Sequence, residues 1–355
     1  MAEEGNLLRV ARPTINVAGE DDPRLASGLL KLAISETTQG FFRCEATFGN
    51  WDVSDNPTGF LYFDRRKLDF GKAFKIKFGT ESLFDGRIMG LEASFPEGRP
   101  PEITVLAEDR FQDLRMTRRT RTFTDVTDAE VISQIANEHG LSPAISVQGP
   151  TYRVLAQVNQ SDLAFLRERA RSVNAELWMD GSKLNVKPRA SRNGSALEMT
   201  HGKELREFTV IADLANQRST VCVNGWDVAC KTALQHEASD SVISGELNGD
   251  TSGASLLGSA LARRKEALAH AVPLTAQEAQ AIAESFFRMT ARRFLVGRGV
   301  AETSSRLRVG EFISIKNIGP LFGGKYYLAE VRHVFDGKGL RTEFTAERAG
   351  LGKPQ

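Results

Sequence analysis

The residues best suited to chemistry are spread thinly along this sequence. Its five histidines lie on separate segments, and no two of them have the His-x-x-x-His spacing that places two zinc ligands on one face of a helix. They are His139, His201, His236, His270 and His333. The strand pattern around His333 predicts a buried histidine within a sheet. We therefore predict no metal site.

Nucleophile and cofactor motifs are also missing. The sequence has no Gly-x-Ser-x-Gly elbow, no glycine-rich phosphate loop and no recognisable pair of catalytic carboxylates. Its three cysteines, Cys44, Cys222 and Cys230, lack metal-ligand spacing. Cys44 lies in the alternating run Phe42–Phe48, which favours a small core residue. We predict no catalytic, cofactor-binding or metal-binding residue and no enzyme activity, although a triad assembled only in space would escape such a search.

Composition argues against several classes of partner. Lys and Arg total 46 against 45 for Asp and Glu, and a net charge of +1 offers no electrostatic attraction to nucleic acid, an anionic membrane or a polyanionic substrate. No apolar run approaches the length of a bilayer span, and the N-terminus lacks the charged and apolar regions of a signal peptide. We expect a protein made in the cytoplasm, with two or three domains in its 355 residues.

The first third of the chain has the period-two pattern of half-buried antiparallel strands. Residues 9–112 contain alternating runs at Phe42–Phe48, Phe74–Phe78 and Ile103–Ala107, separated by turns marked with Gly and Pro. Because alternate side chains point to opposite faces of a sheet, the apolar members of each run predict one buried face.

The next segment changes to a helical period. Thr127-Asp-Ala-Glu130 is a capping box that opens a helix. A second helix begins near Ser161-Asp162, and Asp180-Gly181 is a hairpin turn signal between two short apolar strands. Residues 125–190 therefore predict a small α+β domain.

Strands return after residue 205 and again at 307–348. Between them, 239–259 is rich in Ser, Gly, Asn and Asp and lacks an apolar period, which favours an exposed or mobile excursion. A second capping box at Thr275–Glu278 opens another helix. The predicted domains are 1–115, 116–200 and 201–355, the last with a flexible insertion near 239–275.

Two segments, one in each β region, repeat one another. Phe74–Gly86 aligns without a gap on Phe312–Gly324, and the same offset places Glu92 on Glu330 and Thr104 on Thr342. Both copies show the order strand, Leu-Phe-x-Gly turn, strand, Gly-containing turn, strand. This pattern predicts an internal duplication, in which 74–108 and 312–347 are equivalent strands. The residues that carry it are Phe74, Leu83, Phe84, Gly86, Phe312, Leu321, Phe322 and Gly324.

Three further segments carry a resemblance to a known family. They are Val105-Leu-Ala-Glu-Asp-Arg110, Asn159-Gln-Ser-Asp-Leu-Ala-Phe-Leu166 with the helix and the Ala175–Trp178 strand after it, and the stretch from Gly310 through Gly324-Lys-Tyr-Tyr to Phe335. Together they resemble the late-control D family of contractile-tailed phages, which is related to the N-terminal base of VgrG spikes and to hub proteins of extracellular contractile injection systems. The resemblance covers nearly the whole chain.

The resemblance implies a fold and an assembly. The implied fold is α+β and mainly β, with two tube-type antiparallel β-barrel domains related by internal duplication and a small α+β domain between them. Three such subunits form a ring in which six barrels offer a pseudo-sixfold surface to a hexameric inner tube, while the threefold axis receives a trimeric spike. The implied function is the structural hub of a contractile tail or injection-system baseplate.

The resemblance also implies partners. We expect a homotrimer that contacts an Hcp-like inner tube protein, baseplate wedge proteins and a separate spike protein with an OB-fold and a β-helix, because VgrG continues into such a spike and this chain stops at Gln355. We expect no membrane contact and no direct sequence-specific binding of nucleic acid. The implied localisation is the baseplate of a phage tail or injection particle, assembled from protein made in the bacterial cytoplasm.

Two alternatives stay open at this point. The basic run Arg115, Arg118, Arg119 and Arg121 could contact nucleic acid passing down a tail channel, although a solvated edge or an ion-paired subunit contact is the simpler interpretation. A second function, a tail-associated hydrolase of the cell envelope, is suggested by the position of hubs near the piercing end. Against it, the resemblance uses nearly the whole chain and leaves no room for an added lytic domain.

Overall fold

The computed structural model describes residues 12–40, 42–52, 59–192, 196–228 and 230–353. The first part of the chain forms β1 (Thr14–Val17), β2 (Glu20–Asp21), α1 (Pro23–Gly28), β3 (Leu29–Thr37), β4 (Phe42–Gly49), β5 (Ala73–Phe78), β6 (Glu81–Ser94), β7 (Glu102–Glu108) and α2 (Phe111–Met116). The middle forms β8 (Arg118–Thr127), α3 (Asp128–Glu138), β9 (Ser142–Ile145), β10 (Thr151–Ser161), α4 (Asp162–Ser172), β11 (Ala175–Asp180) and β12 (Lys183–Pro188). The last part forms β13 (Leu197–Thr200), β14 (Leu205–Ala212), β15 (Thr220–Asp227), β16 (Thr232–Ser239), β17 (Thr251–Ser252), α5 (Gly253–Ala260), β18 (Lys265–Ala267), α6 (Ala276–Ala291), β19 (Leu295–Ala301), β20 (Phe312–Lys316), β21 (Gly324–Asp336), β22 (Gly339–Arg348) and β23 (Gly350–Leu351). Short 3₁₀ helices lie at Arg189–Ser191 and Asp240–Glu246.

One sheet of 13 strands dominates the fold. Its strands follow the order β14-β19-β22-β21-β3-β4-β7-β6-β5-β1-β2, and β20 pairs with β21 on one side and with β13 on the other. The ladder between β21 and β3 joins strands from the two ends of the chain. The prediction of an α+β, mainly β fold is confirmed.

Each β region has its own hydrophobic core. The alternation in β4, β5 and β7 predicts the first core well, because eight of its inward residues are at most 2% exposed: Cys44, Ala46, Phe48, Phe74, Ile76, Ile103, Val105 and Ala107. Phe42 and Phe78, at strand ends, are only partly buried. The first core also contains Phe335 of β21, which comes from the far end of the chain.

The middle of the chain packs as a separate α+β region with its own core. The predicted capping box opens α3, because the Glu130 backbone N–H donates to the Thr127 hydroxyl and the Thr127 N–H donates to the Glu130 carboxylate at 2.8 Å. The hairpin at Asp180-Gly181 is also present and joins β11 to β12. The domain boundaries near 115 and 200 stay a prediction.

The long connection between β14 and β19 forms a substructure of its own. It contains the small sheet β16-β15-β18, with α6 packed against it through Phe287. The segment 239–275, predicted as a flexible insertion, contains a 3₁₀ helix and α5, and it buries Ile243 and Leu257. The flexibility of 239–275 stays a prediction, but the expectation that 239–259 is exposed is wrong for its buried residues. Their apolar side chains are too widely spaced to show a period in the sequence.

An ion pair between Arg308 and Glu36 links the two β regions at their junction. The Arg308 guanidinium donates two hydrogen bonds to the Glu36 carboxylate, at 2.7 and 2.9 Å, and the Val309 N–H donates a third at 3.1 Å. Glu36 lies on β3 and is only 8% exposed. Burial lowers the pKa of Arg308, but the hydrogen bonds and charge of Glu36 raise it by more, so the guanidinium stays charged.

Glu36→Gln should destabilise the protein by about 2 kcal/mol, because it removes the buried negative charge that pairs with the partly buried guanidinium of Arg308. Urea unfolding gives the free energy of unfolding. The matched control is Glu45→Gln, whose carboxylate lies 3.9 Å from Arg43 on an exposed surface, where an ion pair contributes little. Equal losses in the free energy of unfolding for the two substitutions would contradict a stabilising role for the Glu36–Arg308 pair.

Candidate functional site: the duplicated β unit

The structure contains the same five-stranded unit twice. The first unit consists of β3, β4, β7, β6 and β5, and the second of β14, β19, β22, β21 and β20. In each unit the strands are antiparallel neighbours in that order. The predicted duplication is thus present in the strand topology.

The hydrogen-bond registers of the two units coincide over the residue pairs that both contain, while the first unit has one further shift, between Ile76 and Lys77. One residue bulges out of β3 directly after Leu29, and one bulges out of β14 directly after Leu205. A second bulge follows Ile88 in β6 and Leu328 in β21. A bulge bends and twists its strand and is a built-in feature rather than a defect. Its recurrence at equivalent places therefore supports a common origin for the units.

These ladders correct the gapless sequence alignment. Aligning β6 and β21 on their bulges places Gly86 on Tyr326. Gly86 pairs with Phe74, and Tyr326 pairs with Ile313. The equivalent of Phe74 is therefore Ile313, and the alignment with Phe312 is wrong by one residue. Burial agrees, because Phe74 and Ile313 are fully buried while Phe312 is only partly buried. A slip of one residue reverses the face of every side chain.

The two Leu-Phe-x-Gly segments also occupy different places. Leu83-Phe84 is buried inside β6, and the turn of the first copy lies earlier, at 79–80. Leu321-Phe322 lies in the loop before β21 and is half-buried. The predicted turn is wrong for the first copy, and Gly86 and Gly324 are not equivalent.

The two units fill the same core positions with different volumes. In the first unit Ala46 lies opposite Val105, and the equivalent pair in the second unit is Gly299 and Phe344. A Cβ atom on Gly299 would lie 2.4 Å from the Phe344 ring. Glycine therefore leaves the space that the larger ring occupies. The backbone register has been kept while the packing has diverged.

Gly299→Ala should destabilise the protein by about 1–3 kcal/mol through overpacking. Combining it with Phe344→Val recreates the alanine–valine pair of the first unit, so the double variant should be more stable than the sum of the single effects by at least about 1 kcal/mol. Urea unfolding of all four proteins measures this coupling. Gly337→Ala is the control, since its Cβ would meet nothing within 4 Å. Strictly additive effects would refute the volume exchange.

A buried charge cluster attaches the middle α+β region to the second unit. Glu176 of β11 accepts hydrogen bonds from Arg192 at 2.9 Å and from Arg189 at 3.3 Å. It also accepts one from the hydroxyl of Tyr327 in β21, while Arg189 donates to Glu347 of β22 at 2.9 Å. Burial raises the pKa of Glu176, but the two arginines lower it by more, and the carboxylate stays ionised. Such pairing offsets the cost of burying the charges.

His333 lies on β21 and is 2% exposed, as its strand pattern predicts. Its Nδ1 is 2.9 Å from the Thr342 hydroxyl, while its Nε2 has no hydrogen-bond partner among the described residues. Burial, assisted by the positive charge of Arg308, lowers the pKa of His333 to about 4. The imidazole is therefore neutral near pH 7.

His333 should make the protein less stable in acid. An unfolded histidine has a pKa near 6.5, so between pH 6.5 and about 4 the unfolded chain binds a proton that the folded chain does not. This contribution is complete above pH 6.5 and is lost as the pH falls, up to about 3 kcal/mol. Urea unfolding from pH 7 to 4 should show a shallower loss for His333→Gln. Exposed His270, changed to Gln, should leave the wild-type slope, and an unaltered slope in His333→Gln would overturn the assignment.

Three of the four arginines in the basic run near α2 form ion pairs within the chain. Arg118 donates to the backbone carbonyl of Asn159. The other three arginines form ion pairs: Arg115 with Glu108 at 2.6 Å, Arg119 with Asp162 at 3.3 Å and Arg121 with Glu138 at 2.8 Å. These contacts favour an ion-paired role, within one subunit rather than between subunits.

The Asn159–Leu166 segment has a structural role in the middle region. Ser161 caps α4 by accepting from the Ala164 N–H, and Asp162 is fully buried. The Asp162 carboxylate accepts a hydrogen bond from Gln157 at 2.7 Å and lies 2.8 Å from His139 Nε2. The segment therefore fixes the start of α4 against β8 and β10.

The described residues contain no group of three or more His, Cys, Asp and Glu side chains that could hold a metal ion. Cys44 and Cys222 are buried and Cys230 is exposed. A groove of about 540 Å³ lies where the units meet, and its lining includes Thr37, Glu330, Thr209 and Arg298. No helix within the described ranges is long and apolar enough to span a bilayer.

A family model described as the Alg8 N-terminal domain matches residues 30–336. This range begins in β3 and ends with β21, so it includes the junction between the two units. No curated protein sequence matches the chain significantly.

Several solved structures share the fold. The 43 kDa tail protein of prophage MuSo2 from Shewanella oneidensis matches with a TM-score of 0.72 and 13% identity, over 95% of this chain and 98% of its own. The tail protein from Neisseria meningitidis MC58 matches with a TM-score of 0.68 and 12% identity, over 97% and 98%. The E. coli c3393 protein, described as a component of the type VI secretion system, matches with a TM-score of 0.56 and 14% identity, over 96% and 79%. The resemblance to the late-control D family stays a prediction.

Proposed function

The chain belongs to the family of the Alg8 N-terminal domain, and we propose that it is the structural hub of a contractile tail or injection-system baseplate. In this proposal three subunits form a ring that adapts a hexameric inner tube to a trimeric spike. Solved structures that share its fold include two tail proteins and a protein described as a type VI secretion component. Their likeness supports a structural role in a particle of that kind.

The observation that carries the proposal is the duplicated β unit. A threefold ring can present a sixfold surface only if every subunit contributes two like patches. The two units share strand order, register and both bulges, so they offer like backbone surfaces even though their core side chains differ. Three copies of the chain therefore supply six such surfaces.

The proposed partners follow from this role. The sixfold face receives an Hcp-like inner tube protein, and the threefold axis receives a separate spike protein with an OB-fold and a β-helix. Wedge proteins of the baseplate surround the ring. The protein is made in the cytoplasm and becomes part of the baseplate, where its role is structural rather than catalytic.

Native mass spectrometry should show a particle with three times the 39.0 kDa mass of the chain. Mixing this particle with the hexameric tube protein of the same system should give one hub trimer for each tube hexamer. A chain that stays monomeric at tens of micromolar and captures neither tube nor spike protein would rule the proposal out. Clearing of a peptidoglycan zymogram by the purified protein would favour an envelope hydrolase instead.

A further inference from the structure

The ladder between the two units inside one chain shows how such units join. The second half of β21 pairs with β3 in antiparallel fashion, from Glu330 opposite Thr37 to Phe335 opposite Leu32. The duplication therefore contains one complete example of a unit-to-unit contact, with its register.

The same surfaces recur in the chain without a strand partner. When the ladders of the two units are matched, Glu330–Phe335 of β21 corresponds to Gly90–Phe95, which begins in β6 and ends directly after it. Leu32–Thr37 of β3 corresponds to Phe208–Asp213, which begins in β14 and ends directly after it. Within the described residues, the part of β14 from Phe208 to Ala212 pairs only with β19, and this half of β6 pairs only with β7. Each chain thus carries two open edges whose equivalents are already paired with each other.

Side-chain exposure separates the paired edges from the open ones. Phe335 is 4% exposed and belongs to the core of the first unit, whereas its equivalent Phe95 is 65% exposed. Phe95 lies in an exposed aromatic cluster, with its ring centroid 6.2 Å from that of Phe60. An aromatic side chain that is buried in one unit and exposed at the equivalent position of the other indicates a surface that a neighbouring unit would cover.

The opposite edge shows the same difference. Leu32 of β3 is 1% exposed, whereas its equivalent Phe208 is only partly buried. Ile211 is 60% exposed, although its equivalent Ser35 is half-buried. An edge strand that presents a large apolar side chain and unpaired backbone groups is a template for another strand.

We propose that Gly90–Phe95 of one subunit pairs with Phe208–Asp213 of a second copy of this chain. The strands are antiparallel, and the register places Gly90 opposite Asp213 and Phe95 opposite Phe208. Because the two edges differ, the contact is head to tail and each copy keeps one free edge for the next, which generates a ring when the rotation closes. The pairing rests on the proposed ring assembly and specifies which strands build it.

Cysteine cross-linking tests the register directly in the full chain. With exposed Cys230 replaced by Ser, Glu92→Cys and Ile211→Cys are combined, since these positions lie opposite each other in the proposed ladder. Ser35→Cys with Arg332→Cys is the matched control, because this is the equivalent pair inside one chain. Glu92→Cys with Thr209→Cys is shifted by two residues, about 7 Å along the strand, and lies beyond the reach of a disulfide.

Mild oxidation should close the Ser35–Arg332 control within single chains and link the Glu92–Ile211 variant into covalent dimers and trimers on a non-reducing gel. The shifted pair should link at least tenfold less. A native trimer whose control closes but whose Glu92–Ile211 pair stays unlinked would overturn this pairing and leave the proposed hub standing. A chain that stays monomeric and unlinked would overturn both.

Phe95→Glu provides a second measurement that does not depend on disulfide geometry. It should weaken self-association at least tenfold in mass photometry and leave the thermal midpoint of the monomer unchanged, because Phe95 is exposed within one chain. Met116→Glu, at a site 70% exposed on α2, is the control and should change neither property. Hydrogen exchange should show the outward-facing amides of 90–94 and 208–213, those that do not already pair with β7 and β19, protected together in the wild-type trimer and exchanging faster in Phe95→Glu. Absence of that protection in a trimer would also refute the pairing.

Discussion

The arrangement depends on the ladder between β21 and β3, because it joins the two duplicated units into one sheet. The ladder brings Phe335 into the core of the first unit and places Arg308 against Glu36. The middle α+β region is attached in turn to β21 and β22 through Glu176 and Arg189. Without this ladder the two units would be separate bodies and their relative orientation would not be set.

The polar contacts at this junction contribute specificity more than stability. Burying Glu36 and Glu176 is unfavourable in itself, and full pairing only offsets that cost. A hydrophobic contact would tolerate sliding, whereas a two-pronged arginine–carboxylate bond holds only one geometry. Because loop-closure entropy grows slowly with length, placing the middle region and the long β14–β19 connection between the paired strands adds little to the cost of forming the ladder.

Alternation along the strands predicts the face of each side chain but not its partner. It correctly identifies Cys44, Phe74 and Val105 as core residues, since period two is a local property. The register between Phe312 and β21 depends instead on a loop whose length differs between the copies, and identical Leu-Phe pairs conceal that difference. The burial of Ile243 and Leu257 is hidden from the sequence in a similar way, because a few scattered apolar residues can be buried by a neighbouring helix without leaving a period.

The candidate interface between β6 and β14 cannot be predicted from the sequence, for a related reason. Phe95 and Phe335 are equivalent only after the bulges in β6 and β21 are aligned, and the gapless repeat compares Phe335 with Glu97 instead. Their contrast in exposure also requires coordinates, since both are phenylalanines at the end of a strand. What a sequence can show is that a unit occurs twice. Which edges of the units are open follows only from the fold.

In the proposed ring, duplication lets one chain contact partners of two symmetries. In the proposed ring the ladder that joins two units occurs six times. Three of these ladders lie within single chains, between β21 and β3, and three lie between neighbouring chains, between β6 and β14. The middle α+β region occurs once per chain. The substructure between β14 and β19 also occurs once, since the equivalent strands of the first unit, β3 and β4, are joined by a short connection. These single features are therefore threefold. Divergence between the copies, as at Gly299 and Ala46, lies inside the cores and leaves the backbone pattern that the two units share intact. In the proposed ring each symmetry is therefore carried by a different part of the chain.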